Sequence, residues 1–492
     1  MPPSESLSLI ERKQPLSIVV IGASGDLSMR KILPALFALY CQHRLPEKFH
    51  IVGFARSEIS NDAFRDMVRK NLACRYSLAE DCEKQKDKFL QHCTYTQGEY
   101  DQAESYRKLH EELRPLEPEG KENRIFYLSI PPFLFLDVAR ALAQADLVHR
   151  EQPSGWSRVV VEKPFGSDRE TSDELTSEMG KVFDEQQTYR IDHYLGKEVI
   201  QNLMVLRFAN LIFDPVWNRR YVHSVSISWT EQLGLEGRAG YFDKYGIIRD
   251  VMQNHLLQIL ALVSMEQPVA YEAGYIRDEK VKALRSVPAV EMKNLVVGQY
   301  TAGGGQIGYL EEPGIPRHSI TPTFSAAVLH VQNRRWDGVP FLIRAGKAMN
   351  TSMTEIVIRF QNVPGNIFAK NMGHLSSNQL RIRVQPDAGI SLRIVNKEPG
   401  LRMSLNDSVL DLSYASAFDE VIPDAYESLI LDVIRGDGSL FIRGDELEAA
   451  WDIFTPVLHE LDETHVKPRG YPLGGTGPEA AQQLAARYGI TW

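Results

Sequence analysis

Residues 190–198 read RIDHYLGKE and gather an Arg, an Asp, a His, a Tyr, a Lys and a Glu into one short stretch. Only Ile191 and Leu195 have core character. Read as the start of a helix, the stretch puts His193 and Lys197 four apart on one face. A His and a Lys near a helix beginning make a site for an anion, and a phosphate monoester fits it. Asp192 is turned by about 100° from His193 on such a helix, so it faces a different partner. Tyr194 adds a hydroxyl. A polar surface turn accounts for Lys197 and Glu198 but leaves the density of residue types unexplained.

A second histidine, His255, lies in RDVMQNHLLQIL (249–260), flanked by Leu256, Leu257, Ile259 and Leu260. On so apolar a helix it reads as a satisfied core residue or as a general base. An imidazole titrating at about 6.5 suits proton transfer at neutral pH. A carboxylate that orients the ring would steady the imidazolium as it forms, and Asp192 is the expected carboxylate. Asp250 is less comfortable, because five residues amount to about 140° on an α-helical wheel. It shares a ligand with His255 only from the helix start, where an N-cap stands.

Gly22-Ala23-Ser24-Gly25-Asp26-Leu27 follows an apolar strand and precedes a helix. Glycines there let the backbone approach a pyrophosphate, and a helix N-terminus supplies N–H groups. The GxxGDL spacing alone fits a tight turn equally well. The second strand, HIVGFA, ends in Arg56 rather than in the acid that holds a ribose 2′-hydroxyl. An arginine there can pair with a 2′-phosphate, with Ser24 adding a hydroxyl, which favours NADP over NAD. By itself Arg56 also fits a solvated loop cation. Lys163 and Pro131 stand at two further strand ends, where an open parallel sheet forms its ligand crevice. In SVSISWTE and VPFLIRAGK, Glu231 and Lys347 continue the parity of apolar strand faces. Each is either a site residue at a strand end or a solvated charge.

These residues need a scaffold. LSIVVIG, KFHIVGFA, NRIFYLSI and WSRVVVE are buried strand-like runs separated by helical segments such as SMRKILPALFALYCQH and FLFLDVARALAQ. That alternation predicts an α/β unit, a parallel sheet wound on both faces, over residues 1–199. Residues 114–123 read as a loop. From residue 200 to 492, alternating segments (FSAAVLHVQNRRW, EIVIRFQNV, QLRIRVQPDAGISLRIVNK) predict a large, mainly antiparallel sheet with one covered face. Helical segments at 245–264, 423–435 and 444–461 make this second unit α+β.

The totals agree with a two-domain globular protein: 492 residues, 43% hydrophobic, 24% charged, net charge −9. No basic patch suggests nucleic acid. No segment reaches the ~18 apolar residues of a membrane span, and the N-terminus lacks a signal-peptide core. Cys41, Cys74, Cys82 and Cys93 have no metal-type spacing and read as thiols of a reducing compartment, the cytoplasm.

GASGDL, VEKPFG, RIDHYLGKE, EGRAGYFDKYGIIRDVMQNHLLQ and RAGKAMN, in this order and spacing, resemble the glucose-6-phosphate dehydrogenase family, from Ser17 to near the C-terminus. The resemblance implies a Rossmann-like N-terminal domain, an NADP coenzyme and no metal. It implies oxidation of glucose 6-phosphate to 6-phosphoglucono-1,5-lactone, the first step of the oxidative pentose phosphate pathway. It assigns His255 as general base and Asp192 as its partner. His193, Tyr194 and Lys197 would hold the 6-phosphate. Glu231 and Asp250 would bind sugar hydroxyls, with Lys347 reaching the substrate from a strand end. Lys163 would lie between sugar and coenzyme, its bond to Pro164 cis. Gly22, Ser24, Gly25, Asp26, Leu27, Arg56 and Pro131 would line the coenzyme. A homodimer or homotetramer through the C-terminal sheet is implied. Two points depart from the family. Ser352 stands where a basic residue is common, and of a second NADP site only Arg383 has a match. Another sugar oxidoreductase, or an NADP-binding regulator without catalysis, are the rival readings. The joint presence of His255, Asp192 and Lys163 argues against the regulator.

Overall fold

A computed structural model of the chain describes residues 13–76, 78–118, 122–149, 155–235, 237, 239–368, 375–418 and 420–491. The first part of the N-terminal stretch, 1–12, and residues 119–121 of the expected 114–123 loop lie outside the described residues. Arg114–Leu116, inside that loop, form a 3₁₀ turn.

The apolar runs form strands β1 to β6: Leu16–Ile21, Phe49–Ala55, Cys93–Gln97, Glu122–Leu128, Gly155–Glu162 and Thr188–Ile191. The second half supplies β7 to β14: Val222–Thr230, Leu295–Thr301, Phe324–His330, Pro340–Gly346, Met353–Phe360, Gln379–Gln385, Gly389–Lys397 and Leu405–Ser413. Two short strands follow, β15 (Phe441–Ile442) and β16 (Arg469–Pro472).

The first sheet has the order β15-β6-β5-β4-β1-β2-β3. β1 to β6 pair in parallel. The chain runs outward from β1 through β2 to β3, then returns to the other side of β1 with β4. The switch point therefore falls between β1 and β4, and an open parallel sheet binds its ligand in the crevice there. The second sheet, β14-β13-β12-β11-β7-β10-β9-β8-β16, is mainly antiparallel, with parallel pairs β7/β10 and β8/β16. Both sheets match the expected architecture.

The two units are tied together. β15, from the far end of the sequence, pairs antiparallel with β6 and extends the first sheet. Helix Ala425–Arg435 packs on helix Leu33–Cys41, and helix Gly444–Thr464 packs on helix Arg169–Gly180. The buried apolar side chains of both units form one continuous cluster. Within it Lys280 and Glu446 form an ion pair at 2.8 Å, their side chains 1% and 0% exposed. It joins helix Ala273–Arg285 to helix Gly444–Thr464.

The cysteine expectation needs correction. Cys74 and Cys82 are joined in a disulfide, with Cα atoms 5.8 Å apart. The chain between helices Asn61–Arg69 and Ala79–Gln91 turns back on itself and brings them together, which the linear spacing does not reveal. Cys41 and Cys93 are free thiols.

Lys280→Met is expected to strand a buried carboxylate and lower stability by about 3–5 kcal/mol. Pairing it with Glu446→Leu should recover most of the loss, since no charge is then left unpaired. Urea unfolding midpoints of the two variants check this. A midpoint unchanged in Lys280→Met would mean that the pair carries no structural weight.

Candidate active site

β6 ends at Ile191, and the chain turns at Asp192. The carboxylate oxygen Oδ1 of Asp192 accepts the Tyr194 backbone N–H at 2.9 Å and lies 2.5 Å from Nδ1 of His255. Both side chains are almost wholly buried. Burial alone would raise the Asp192 carboxyl. The charge and hydrogen bond of His255, the charge of His193 and the Tyr194 N–H outweigh it and hold the carboxyl at about 2. Burial lowers His255 below its ordinary value, opposed by Asp192. The resting pair is then a carboxylate and a neutral imidazole. Nδ1–H points at Asp192, and Nε2 keeps a lone pair for a proton.

His255 lies on a π-helix, Ile248–Leu256, not on an α-helix. This resolves the awkward Asp250. A π-helix closes its hydrogen bonds from i to i+5, so residues five apart stand one above the other. Asp250 sits in the first turn of that helix and faces the same side as His255 without an N-cap position. The ends are pinned. Arg249 donates to the Ser167 carbonyl at 2.8 Å and reaches Asp462 at 3.2 Å. Beyond the π-helix, helix Leu257–Ser264 ends on carbonyls that would otherwise be orphaned. Arg207 donates to those of Leu262 and Met265, Trp217 to Val263 and Trp336 to Ser264, at 2.6–2.9 Å.

The RIDHYLGKE stretch does not begin a helix. Thr188–Ile191 is strand, residues 192–197 turn, and the helix Glu198–Phe208 starts after Lys197. The parallel pairing of β6 with β5 overrides the helical reading. His193 and Lys197 still converge, through the turn rather than through a shared helix face. The His193 ring lies 4.7 Å from the His255 ring, edge to face. The two histidines thus open on one site. Burial and the neighbouring His255 hold His193 well below its ordinary value. Lys197 sits 5.1 Å over the Tyr194 ring. Burial lowers its ammonium, with Asp424 opposing and Lys31 reinforcing. Tyr194 is turned otherwise than expected. Its hydroxyl accepts from Trp229 at 2.7 Å and meets Thr354 at 3.2 Å, so its ring, 4.4 Å from that of His255, backs the histidines.

Asp192, His193 and His255 hold donor atoms within 4.8 Å of one another. Within that set Nδ1 of His255 is engaged by Oδ1 of Asp192.

The remaining charges come in pairs. Lys163, joined to Pro164 by a cis bond, reaches Oδ1 of Asp250 at 3.2 Å and also its backbone carbonyl. Burial would raise Asp250, but Lys163 and Lys347 hold it below the usual carboxylate value. Lys347 meets Glu231 at 2.7 Å. β7 and β10 are parallel neighbours, so Glu231 and Lys347 leave the sheet at the same end. Ser352 accepts the Gln232 N–H at 2.9 Å and ties the loop after β7 to the start of β11.

At the switch point Gly22 has φ +88°, and a Cβ there would come within 2.2 Å of the Ser129 carbonyl. The turn therefore lies directly against the chain that leads from β4 to Pro131. Asp26 and Leu27 open the helix, with Asp26 paired to Arg30 at 2.7 Å. Ser24 and Ser57 hydroxyls are 3.3 Å apart, and the exposed Arg56 lies over the Tyr100 ring at 5.2 Å. Backbone amides of a glycine turn, two hydroxyls and an exposed guanidinium are the donor set that a phosphorylated dinucleotide needs.

Several residues at this site have no counterpart in the sequence reading. Lys31 comes from a π-helix, Ser28–Ile32, just past the glycine turn, and pairs with Asp424 at 3.2 Å. Tyr426 lies parallel to the His193 ring at 6.3 Å. Glu162 accepts the Tyr127 hydroxyl at 2.7 Å. Glu162 had a signal, since it is the strand neighbour of Lys163. Asp424 and Tyr426 come from a helix more than two hundred positions away and had none.

Comparison with known proteins bears on both units. The family profile described as glucose-6-phosphate dehydrogenase, NAD binding domain, matches residues 19–202. The profile for the C-terminal domain of the same family matches 204–492. The chain is 50% identical to glucose-6-phosphate 1-dehydrogenase 1, chloroplastic, of Arabidopsis thaliana, over 97% of its own length and 83% of the relative's. It is 46% identical to that plant's cytoplasmic isoform 5, over 96% and 91%. A solved structure of glucose-6-phosphate dehydrogenase in complex with its substrate glucose-6-phosphate superposes with a TM-score of 0.91 at 39% identity, covering 98% and 99% of the two chains. Among the described residues no helix is long and apolar enough to cross a membrane.

His255 is expected to titrate below histidine's ordinary value of about 6.5, because burial disfavours its charged form. Asp192 opposes that shift, so Asp192→Asn should lower the value further. Imidazole NMR across a pH series reads both directly. A wild-type value above the ordinary one, or an upward move in Asp192→Asn, would contradict this electrostatic picture.

Proposed function

This chain belongs to the glucose-6-phosphate dehydrogenase family, and from that premise we propose that it oxidises glucose 6-phosphate at C1 to 6-phosphoglucono-1,5-lactone with NADP as hydride acceptor. That reaction would open the oxidative pentose phosphate pathway. The observation that carries the reading is the contact of Asp192 Oδ1 with His255 Nδ1 at 2.5 Å, with His193 beside it. Nε2 of His255 takes the C1 hydroxyl proton as C1 gives up its hydride. Asp192 holds the ring in the required tautomer and stabilises the imidazolium. His193 and Lys197 hold the 6-phosphate, against the ring of Tyr194 and with Lys31 nearby. Asp250, Glu231 and Lys347 bind the sugar. Lys163, which reaches Asp250, stands between sugar and coenzyme.

Gly22, Ser24, Gly25, Asp26, Leu27 and Pro131 line the coenzyme crevice, and Arg56 takes the 2′-phosphate. The exposed guanidinium at the end of β2, where an NAD site has an acid, supports NADP. The dinucleotide-binding unit is taken as 1–199 and the substrate and oligomerisation unit as 200–492.

Assembly through the second sheet is part of the same reading. β14 ends the sheet on one side, and its Leu410 and Leu412, two apart and so on one face, are 58% and 43% exposed. A second copy laid on this face would bury them and close the edge strand.

Steady-state assays test the reaction. His255→Asn should lose about 10²–10⁴-fold in kcat while glucose 6-phosphate still binds. Unphosphorylated glucose should be a poor substrate, and Arg56→Ala should raise KM for NADP but not for NAD. Near wild-type kcat in His255→Asn would remove it from the mechanism. Light scattering of Leu410→Asp tests the assembly; the variant should shift to a smaller species, and an unchanged mass would rule out this face.

A further inference from the structure

The carboxyl of Glu162 has no place in the chemistry just described, yet it sits beside it. Glu162 is the last residue of β5 and pairs in register with Ile191, the residue before Asp192. Successive strand residues point to opposite sides, so while Lys163 turns to Asp250, Glu162 turns the other way. There it meets two tyrosines from different parts of the chain. Tyr127 of β4 donates its hydroxyl at 2.7 Å. Tyr426, in the first turn of helix Ala425–Arg435, is hydrogen-bonded to the same carboxyl. The ring of Tyr426 lies parallel to His193, planes 8° apart and centroids at 6.3 Å, within the range of offset aromatic pairs.

We infer that Glu162 is a positioning residue for the sugar-phosphate site, acting through Tyr426 on the His193 imidazole. The inference rests on His193 holding the substrate's phosphate. An imidazole on a turn can rotate about its side-chain bonds, and a flat ring alongside restricts that rotation. Tyr426 can serve only if its own ring is fixed. Its backbone is fixed by the Asp424 cap and by Glu427, which Arg75 and Tyr76 grip. Its ring is fixed at the hydroxyl, and the anchor is Glu162. A carboxylate accepts from both tyrosines at once, whereas a protonated carboxyl offers one acceptor fewer.

The groups that face Glu162 are Tyr127 from β4, Tyr426 from the 425–435 helix, Lys163 beside it and Asp192 past the end of β6. Burial pushes its carboxyl up to about 7; Asp192 reinforces this, and the two tyrosines and Lys163 oppose it. The sign follows. Above that pH the carboxylate holds both hydroxyls, and below it the hold on Tyr426 loosens.

The test compares Glu162→Gln, Glu162→Leu, Tyr426→Phe and the double variant Glu162→Leu/Tyr426→Phe with the wild type. Loss of one such hydrogen bond should raise KM for glucose 6-phosphate about five- to tenfold in Glu162→Leu and in Tyr426→Phe. Glu162→Gln keeps one acceptor and should fall between. KM for NADP should stay within twofold. The double variant should be no worse than either single one, because both break the same link. The ratio of KM in Glu162→Gln to that in the wild type should be largest above pH 7 and approach one below it; the phosphate's own titration cancels in that ratio. An unchanged KM in Tyr426→Phe, losses that multiply in the double variant, a ratio flat with pH, or an equal rise in KM for NADP would each overturn the relay. Should Glu162→Leu fail to fold, Tyr426→Phe and Glu162→Gln decide alone. Wild-type turnover of glucose 6-phosphate is the separate control: its absence would sink the proposed function, while the relay is judged only on variant-to-wild-type ratios.

Discussion

One hydrogen bond sets the terms for the rest of the molecule. Asp192 ends a strand of the first sheet, and His255 sits on a helix packed against the second. Their contact spans two units, and both partners are buried. A buried carboxylate is costly unless its partners hold hydrogen-bond geometry. The units therefore cannot drift relative to each other without leaving a charge stranded. The architecture reads as the enforcement of that demand. β15 returns to pair with β6 one residue before Asp192, the helices at 425–435 and 444–464 return to pack on the first unit, and a single apolar cluster runs through both.

On the proposed reading, the helix carrying His255 presents two groups, Asp250 and His255, to one ligand. An α-helix cannot do this with residues five apart, and the π-geometry of Ile248–Leu256 can. Such geometry has weaker packing along its axis, so it needs external support. Arg249 anchors its start, and three buried donors, Arg207, Trp217 and Trp336, take up the carbonyls at the far end of the following helix. A second π-helix, Ser28–Ile32, delivers Lys31 to the same corner from the coenzyme side. In both places irregular helix geometry appears where a side chain must be aimed.

The sequence was legible where a physical period or a local constraint was strong. Buried runs such as LSIVVI and RVVVE could only be interior strands, and Gly22 before a helix marked the turn that its φ of +88° requires. The pairing of Asp192 with His255 followed from residue types and their chemistry. Other parts were hidden for definite reasons. RIDHYLGKE looked helical because its spacing is helical, while strand pairing, which is non-local, decides its conformation. Asp250 looks misplaced on a 3.6-residue wheel, a period that the π-helix at 248–256 does not follow. Helix Ala79–Gln91, crowded with Glu, Asp and Lys, offers no apolar stripe wide enough to read. Tyr426 and Asp424 are contributed by packing alone, and the disulfide by a turn in the chain whose geometry no spacing rule records.

The distribution of charge in the site favours the proposed phosphate over an uncharged sugar as its occupant. Lys163 is balanced by Asp250, Lys347 by Glu231 and Lys31 by Asp424. Each pair meets its own electrostatic need within the protein. Lys197 is different. Asp424, whose charge favours the Lys197 ammonium, is ion-paired with Lys31, and burial already works against that ammonium. His193 is likewise held neutral by burial and by His255. A dianionic phosphate entering this corner supplies the missing counter-charge to both and favours their protonated forms. An uncharged hydroxymethyl group would leave that deficit in place. On the proposed reading, selectivity for the charged end of the sugar comes from what the protein leaves unbalanced, and C1 is oriented toward His255 as a result.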